Sequence, residues 1–344
     1  MNQRFLDACR MRTTDRTPVW FMRQAGRFQP EYRELRKQYG ILEICRTPEL
    51  AAEVTMMPVR AFGVDAAILF SDIMIPLAAM GVELRIDPGV GPVIDDPIAS
   101  AADVERLRSI RPAEDLPFLD KTVRMLVSEL DVPLIGFAGG PFTLASYLVE
   151  GGPSRAFLRT RALMNTDPHT WHALMTRLTD TVIGVLRAQI EAGASAVQLF
   201  DSWVGMLSPD DYAAHVLPYS FRIFTSLQDL GAPRLHFGVG TGELLELMRD
   251  AGADVVGVDW RTPMDRARER LGATVAVQGN LDPAVLLASW NVIEEKTRAV
   301  LTRSAAGEAG AVGHIFNLGH GVVPQTEPDT LRRLTEFIHE ESAR

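Results

Sequence analysis

Arginines clustered on a short, glycine-containing loop are the first residues of this 344-residue chain able to do chemistry. The run Arg23-Gln24-Ala25-Gly26-Arg27 is followed closely by Tyr32, Arg33 and Arg36. Guanidinium groups hold carboxylates through paired, directional hydrogen bonds, so the cluster suits a carboxylate-rich ligand. The same arginines could instead pair with Glu31 and Glu34 as ordinary surface charge, and spacing alone weighs the two equally. Other chemistries lack their parts. The lysines are Lys37, Lys121 and Lys296, and none ends an apolar run, which leaves Schiff-base and pyridoxal-phosphate chemistry without a nucleophile. Gly238-Val239-Gly240-Thr241-Gly242 matches neither the dinucleotide nor the P-loop fingerprint; it reads as a tight turn or an anion-holding helix start. The histidines are scattered, with no HExxH and no His-x-Cys pair, so no metal site is expected. Cys9 and Cys45 are too few for a disulfide framework, which fits a reducing cytoplasm.

The elements that must position these groups announce themselves by punctuation. A helical pattern, a glycine, a small residue and a short apolar run recur along the chain. The phrase is seen at Gly63, Gly193, Gly231, Gly252, Gly272 and, within Ala309-Gly310-Ala311, at Gly310. A glycine there ends the helix in the left-handed conformation and turns the chain back toward a sheet. Helix starts are marked at Thr47-Pro48, Asp167-Pro168, Ser208-Pro209, Thr262-Pro263 and Asp282-Pro283, each a capping side chain before a first-turn proline. The apolar runs give strands at Pro18–Met22, Ala66–Phe70, Leu134–Ala138, Ala196–Phe200, Arg234–Phe237, Val255–Val258, Thr274–Val277 and His314–Leu318. Such continuous runs, alternating with helices eight times over, predict an α/β fold: a single (β/α)8 TIM barrel. An open doubly wound sheet is the alternative. Gly81–Asp96, rich in glycine and proline, reads as an inserted loop or hairpin after the second strand. No linker divides the chain, so residues 1–344 are expected to form one catalytic domain.

The formal net charge of −9 argues against a general nucleic-acid partner. Residues 1–40 carry nine Arg/Lys against four acids, a local excess of positive charge that fits an anionic ligand or simple surface balance. Arg4, Asp7 and Arg10 interrupt any signal-peptide core. Val132–Val149 is uncharged and approaches spanning length, but Pro133 and Gly139-Gly140-Pro141 make it strand, loop and helix, so no membrane segment is expected and a cytoplasmic location is.

In a barrel the chemistry gathers at the carboxyl ends of the strands. There stand Arg23 and Gln24, Ser71 and Asp72, Gly139 and Gly140, Asp201 and Ser202, Gly238, Asp259-Trp260, Gln278-Gly279-Asn280 and Asn317-Leu318-Gly319-His320. Position therefore favours the binding reading of the arginines. The string PVWFMRQAGRFQPEYR, from Pro18 to Arg33, resembles the N-terminal signature of the uroporphyrinogen decarboxylases. Ile68-Leu69-Phe70-Ser71-Asp72 and Gly136-Phe137-Ala138-Gly139-Gly140-Pro141-Phe142-Thr143, continuing to Tyr147, resemble the next motifs of that family. Gln198–Gly205, Gln278–Pro283 and Asn317–Val322 complete a set that runs in order from residue 17 to about 326. Position 201 holds Asp where some members carry Glu, and no catalytic role attaches to it.

The resemblance implies decarboxylation of the four acetate side chains of uroporphyrinogen III to methyl groups, giving coproporphyrinogen III, in haem biosynthesis. It implies no cofactor, because a protonated pyrrole is itself the electron sink. It also implies a homodimer. Carried over residue by residue, Asp72 is the central carboxylate receiving the pyrrole N–H groups, and Arg23 and Arg27 grip acetate or propionate groups. Arg23 is a further catalytic candidate, as a partner in proton delivery through its bound carboxyl group. Gln24, Ala25 and Gly26 line the pocket through backbone and shape, while Tyr147, Ser202 and His320 hydrogen-bond the substrate. Phe70 and Phe200 are either platform for the macrocycle or core. Asp259 and Asn280 read as rim structure. Two rivals remain: a corrinoid-linked methyltransferase and a non-catalytic tetrapyrrole-binding barrel. The first would need zinc ligands, and Gly238 stands where a cysteine ligand would sit; the retention of Asp72, Arg23 and Arg27 argues against the second.

Overall fold

The computed structural model describes residues 2–87, 89–306 and 310–344. Seven parallel strands form one sheet in the order β1 (Ala67–Ile68), β4 (Leu134–Gly139), β5 (Ala196–Phe200), β6 (Arg234–Phe237), β7 (Val255–Gly257), β8 (Ala276–Gln278) and β9 (His314–Ile315). β2 (Leu84–Asp87) and β3 (Gly91–Ile94) pair antiparallel as a separate ribbon. Successive parallel strands joined through helices put one helix layer outside the sheet.

Side chains alternate along every strand between two cores. Ile68, Ile135, Ala196, Leu235, Val255, Ala276 and Ile315 belong to one apolar cluster. Their neighbours Ala67, Leu69, Leu134, Val197, Leu199, Val256 and Val277 belong to another, shared with the surrounding helices. Two faces, both apolar, are the reason these strands read as continuous apolar runs. The sheet is curled, because side chains of non-adjacent strands meet across the first face. Trp20 Nε1 donates to Gln278 Oε1 at 2.9 Å, and Gln278 Nε2 donates to Gln198 Oε1 at 2.9 Å.

The punctuation holds at the glycines and at three of the five marked starts. All six glycines of the recurring phrase have positive φ, from 55° at Gly310 to 120° at Gly193; Ala309 lies outside the described residues. Asp167, Ser208 and Asp282 accept N–H bonds from the turns they open. Thr47 does not cap; its hydroxyl is turned back to donate to Glu43 O of the preceding helix at 2.9 Å. Nor does Thr262, since the helix begins only at Met264.

Pro18–Met22 is not a regular strand. It bridges Phe316 at Val19 alone, with Trp20 N donating to Phe316 O and Phe316 N donating to Pro18 O at 2.8 Å. Asp65 N donates to Val19 O on the other side at 2.7 Å. The ladder fails because its donors are taken: Pro18 has none, and Val19, Phe21 and Met22 donate to the side chains of Asp65, Gln24 and Asn317. No helix among the described residues is long and apolar enough to cross a membrane.

Candidate active site

Arg23, Asp72, Tyr147 and His320 come near one another at the carboxyl edge of the sheet. Arg23 follows the first segment in the left-handed region at φ 61°. Its side chain lies along Gly321, so closely that a Cβ at 321 would come within 2.4 Å of Arg23 Cδ. No ion pair among the described residues engages Arg23 or Arg27, and Arg27 is exposed. Asp72 follows β1, its Oδ1 accepting from Met74 N at 2.9 Å. Arg23 is exposed and Asp72 half-buried, with protein atoms crowded around both. That crowding lowers the Arg23 pKa and raises the Asp72 pKa.

Tyr147 projects from the helix Pro141–Glu150, close enough to Arg23 and Asp72 for their charges to act on its hydroxyl, although burial is what chiefly raises its pKa. His320 lies beyond Arg23, its ring edge-on to Trp260 at 6.2 Å. Burial, with help from Arg23 and Arg261, pushes the imidazole down to about 4. Its Nδ1 accepts from Gly321 N at 2.7 Å, so in the neutral ring Nε2 carries the hydrogen and is the donor. Ser202 is half-buried in the turn after β5.

Gln24 differs from a simple lining residue. It is 0% exposed, its Oε1 accepting from Phe21 N and its Nε2 donating to Ala66 O. It braces the arginine loop from beneath, while Ala25 and Gly26 stay partly exposed. Asp259 is similarly committed, accepting from Gly240 N, Arg261 N and Arg261 Nη1, and Asn280 donates to the carbonyls of Asp259 and Thr262.

An aromatic layer lies below. Phe200, half-buried, stands edge-on to Phe137 at 5.5 Å and to Phe237 at 6.1 Å. Phe70 packs on Tyr32 at 5.5 Å. Phe137 and Phe237 were not singled out from the sequence; their place two residues after Ile135 and Leu235, on the same strand face, was the available signal. Arg261 was missed as well, stacked 3.9 Å over Trp260 beside His320. A separate cavity of about 350 Å³, among Cys9, Arg10, Gly231, Arg234, Asp254 and Thr274, opens at the amino ends of β6, β7 and β8 and is no part of this site.

A curled parallel sheet with acid, arginine and histidine gathered at its carboxyl edge defines an α/β enzyme of TIM-barrel-like architecture. Over residues 1–341 the sequence matches the family model for uroporphyrinogen decarboxylase, and the chain belongs to that family. It is 60% identical over 341 residues to a uroporphyrinogen decarboxylase of Salinispora tropica, covering 99% of this chain and 91% of that one. It is 58% identical over 340 residues to one of Thermobifida fusca, covering 98% and 93%. Among solved structures, a methyltransferase from Methanosarcina mazei superposes with a TM-score of 0.80 at 20% identity, covering 98% of each chain; that likeness is one of fold.

Proposed function

We propose that this protein decarboxylates the four acetate side chains of uroporphyrinogen III to methyl groups, giving coproporphyrinogen III in haem and tetrapyrrole biosynthesis. The observation that carries the reading is Asp72 close to Arg23 and Tyr147 at the strand ends, in a chain of this family throughout its length.

The chemistry follows from what each group does best. A proton added at the pyrrole α-carbon, next to the ring carbon bearing the acetate, makes the ring cationic. The C–C bond to the carboxylate then breaks, its electron pair flows into the ring, and CO2 departs. A second proton completes the methyl group, and loss of the first restores the pyrrole. Asp72, whose burial makes a lone negative charge costly, gains most when pyrrole N–H donors and a cationic ring face it. That gain is larger for the intermediate than for the neutral substrate, as catalysis requires. Arg23 and Arg27 hold carboxylates of the substrate, and Arg23 orients the carboxyl group that delivers a proton. Ala25 and Gly26 line the pocket, and Gln24 supports them. Tyr147, Ser202 and the neutral His320 donate hydrogen bonds. Phe200 and Phe137 offer a face for the macrocycle.

The bonds that Pro18–Trp20 make to Phe316 on one side and Asp65 on the other support a closed (β/α)8 barrel with the β2–β3 hairpin as the insertion after its second strand. We read residues 1–344 as one domain, cofactor-free, cytoplasmic and homodimeric in keeping with the family. Methyl transfer is disfavoured by its ligand demand: Cys9 and Cys45 are buried on separate helices, and no three His, Cys, Asp or Glu among the described residues are arranged to hold a metal ion.

Anaerobic incubation of the purified, metal-stripped protein with uroporphyrinogen tests the proposal. Porphyrins with seven, six, five and four carboxylates are expected after oxidation, without added cofactor. Asp72→Ala is expected to lower turnover by about a hundredfold or more while the protein stays folded. Folded wild-type protein without turnover would overturn the reading.

A further inference from the structure

Asp201 is completely buried at the end of β5, yet nothing in the chemistry above uses it. Its Oδ1 accepts from Thr143 Oγ1 at 2.8 Å and from Thr143 N at 3.2 Å, and its Oδ2 has no partner. Thr143 lies in the first turn of Pro141–Glu150, a helix whose N-cap residue, Gly140, has no side chain to offer. The carboxylate occupies the space that side chain would fill: a Cβ at 140 would sit 2.4 Å from Asp201 Cγ. Asp201 therefore caps the helix from another strand. Thr143 also accepts from Trp203 N at 3.3 Å. Tyr147 follows Thr143 by four residues, on the same helical face, and its ring meets the Trp203 ring edge-on at 6.1 Å.

We propose that Asp201 is a positioning residue for Tyr147, fixing the rotation and depth of its helix through Thr143 and the orientation of Trp203 against the tyrosine ring. The inference rests on the decarboxylase reading for its kinetic consequence, but not for its structural one. Burial pushes the Asp201 carboxyl up to about 6. A carboxylate with one oxygen unsatisfied is expensive to bury, and capping the helix that presents Tyr147 accounts for its presence.

The test compares Asp201→Ala, which removes the acceptor, with Asp201→Asn, which retains one. Amide hydrogen exchange of the free enzyme is read first. Asp201→Ala is expected to speed exchange across Phe142–Tyr147, and Asp201→Asn to restore near wild-type protection. Unchanged exchange in Asp201→Ala overturns the inference whatever the substrate. In uroporphyrinogen turnover, Asp201→Ala is expected to lower kcat/KM by about tenfold, and to have no further effect in a Tyr147→Phe background. Multiplying losses, or a loss by Asp201→Ala where Tyr147→Phe loses nothing, would mean that Asp201 acts elsewhere and would overturn it too. Should Asp201→Ala not fold, Thr143→Val replaces it, with Thr143→Ser as the rescuing variant and the same outcomes. Wild-type protein with no turnover strikes the decarboxylase reading alone, because exchange still decides the capping.

Discussion

Arg23 combines two unusual local features: a left-handed backbone on a residue with a Cβ, and an aliphatic stem laid flat on a glycine. Gly321 is thus as much a part of the arginine's geometry as the loop that bears it. Gly321→Ala is expected to displace the guanidinium and lower kcat/KM on uroporphyrinogen by about ten- to a hundredfold, with thermal stability little changed. Activity equal to wild type would show that Arg23 tolerates the shift. Sequence alone could name both residues but not join them, since Gly321 lies 298 positions away and glycine carries no contact information of its own. Gln24 teaches the complementary lesson. It sits in the same motif as Arg23 and Arg27, but motif membership says nothing of direction, and its amide is spent entirely inside the protein.

Among the elements, the apolar runs from Leu134 onward were legible because strands buried on both faces leave an unbroken signature, although the ladders of the last two begin later or end sooner than the runs Thr274–Val277 and His314–Leu318. The first run was legible as an apolar segment but not as an irregular one. Its donors go to side chains contributed by Asp65 and Asn317, and such long-range competition leaves no local trace. Asp65 is the stronger of the two supports. It accepts from Asn2, Arg4, Val19 and His339, with its side chain 2% exposed. Replacing it by Ala leaves those donors unanswered and is expected to cost about 3 kcal/mol of unfolding free energy in urea titration. A loss below about 1 kcal/mol would assign the segment's hold to Asn317 and Phe316 instead.

At the scale of the whole molecule, stability should fall on mild acidification. Burial pushes His236 down to about 4, His314 to about 3 and His320 to about 4. The unfolded chain takes up these protons first, near 6.5, so their contribution is present at pH 7 and is lost as pH falls from about 6.5 toward 4. Asp201 and Asp72, both raised by burial, act in the opposite sense over part of that range, being protonated first in the folded protein. Three histidines outweigh them, and the thermal midpoint is expected to drop between pH 7 and 4.5. His236, fully buried beside the backbone of Met248 without a well-formed hydrogen bond at either ring nitrogen, is the cleanest contributor. His236→Phe should flatten the slope over that window, and an unchanged slope would assign it to the other groups.

The side-chain hold on Pro18–Met22 also has a consequence in time. The residues that secure this segment and its flanks include Asn317, Phe316, His339 and Ser342, whose Oγ accepts from Thr17 N, and Arg344 N donates to Asp15 O. A ribosome delivers the arginine loop and Asp65 early, and these remaining anchors much later. Asp72 and Tyr147 are translated well before those anchors, so the full hold on the segment that leads into Arg23 and Arg27 is available only after Asn317, His339 and Ser342 have been made.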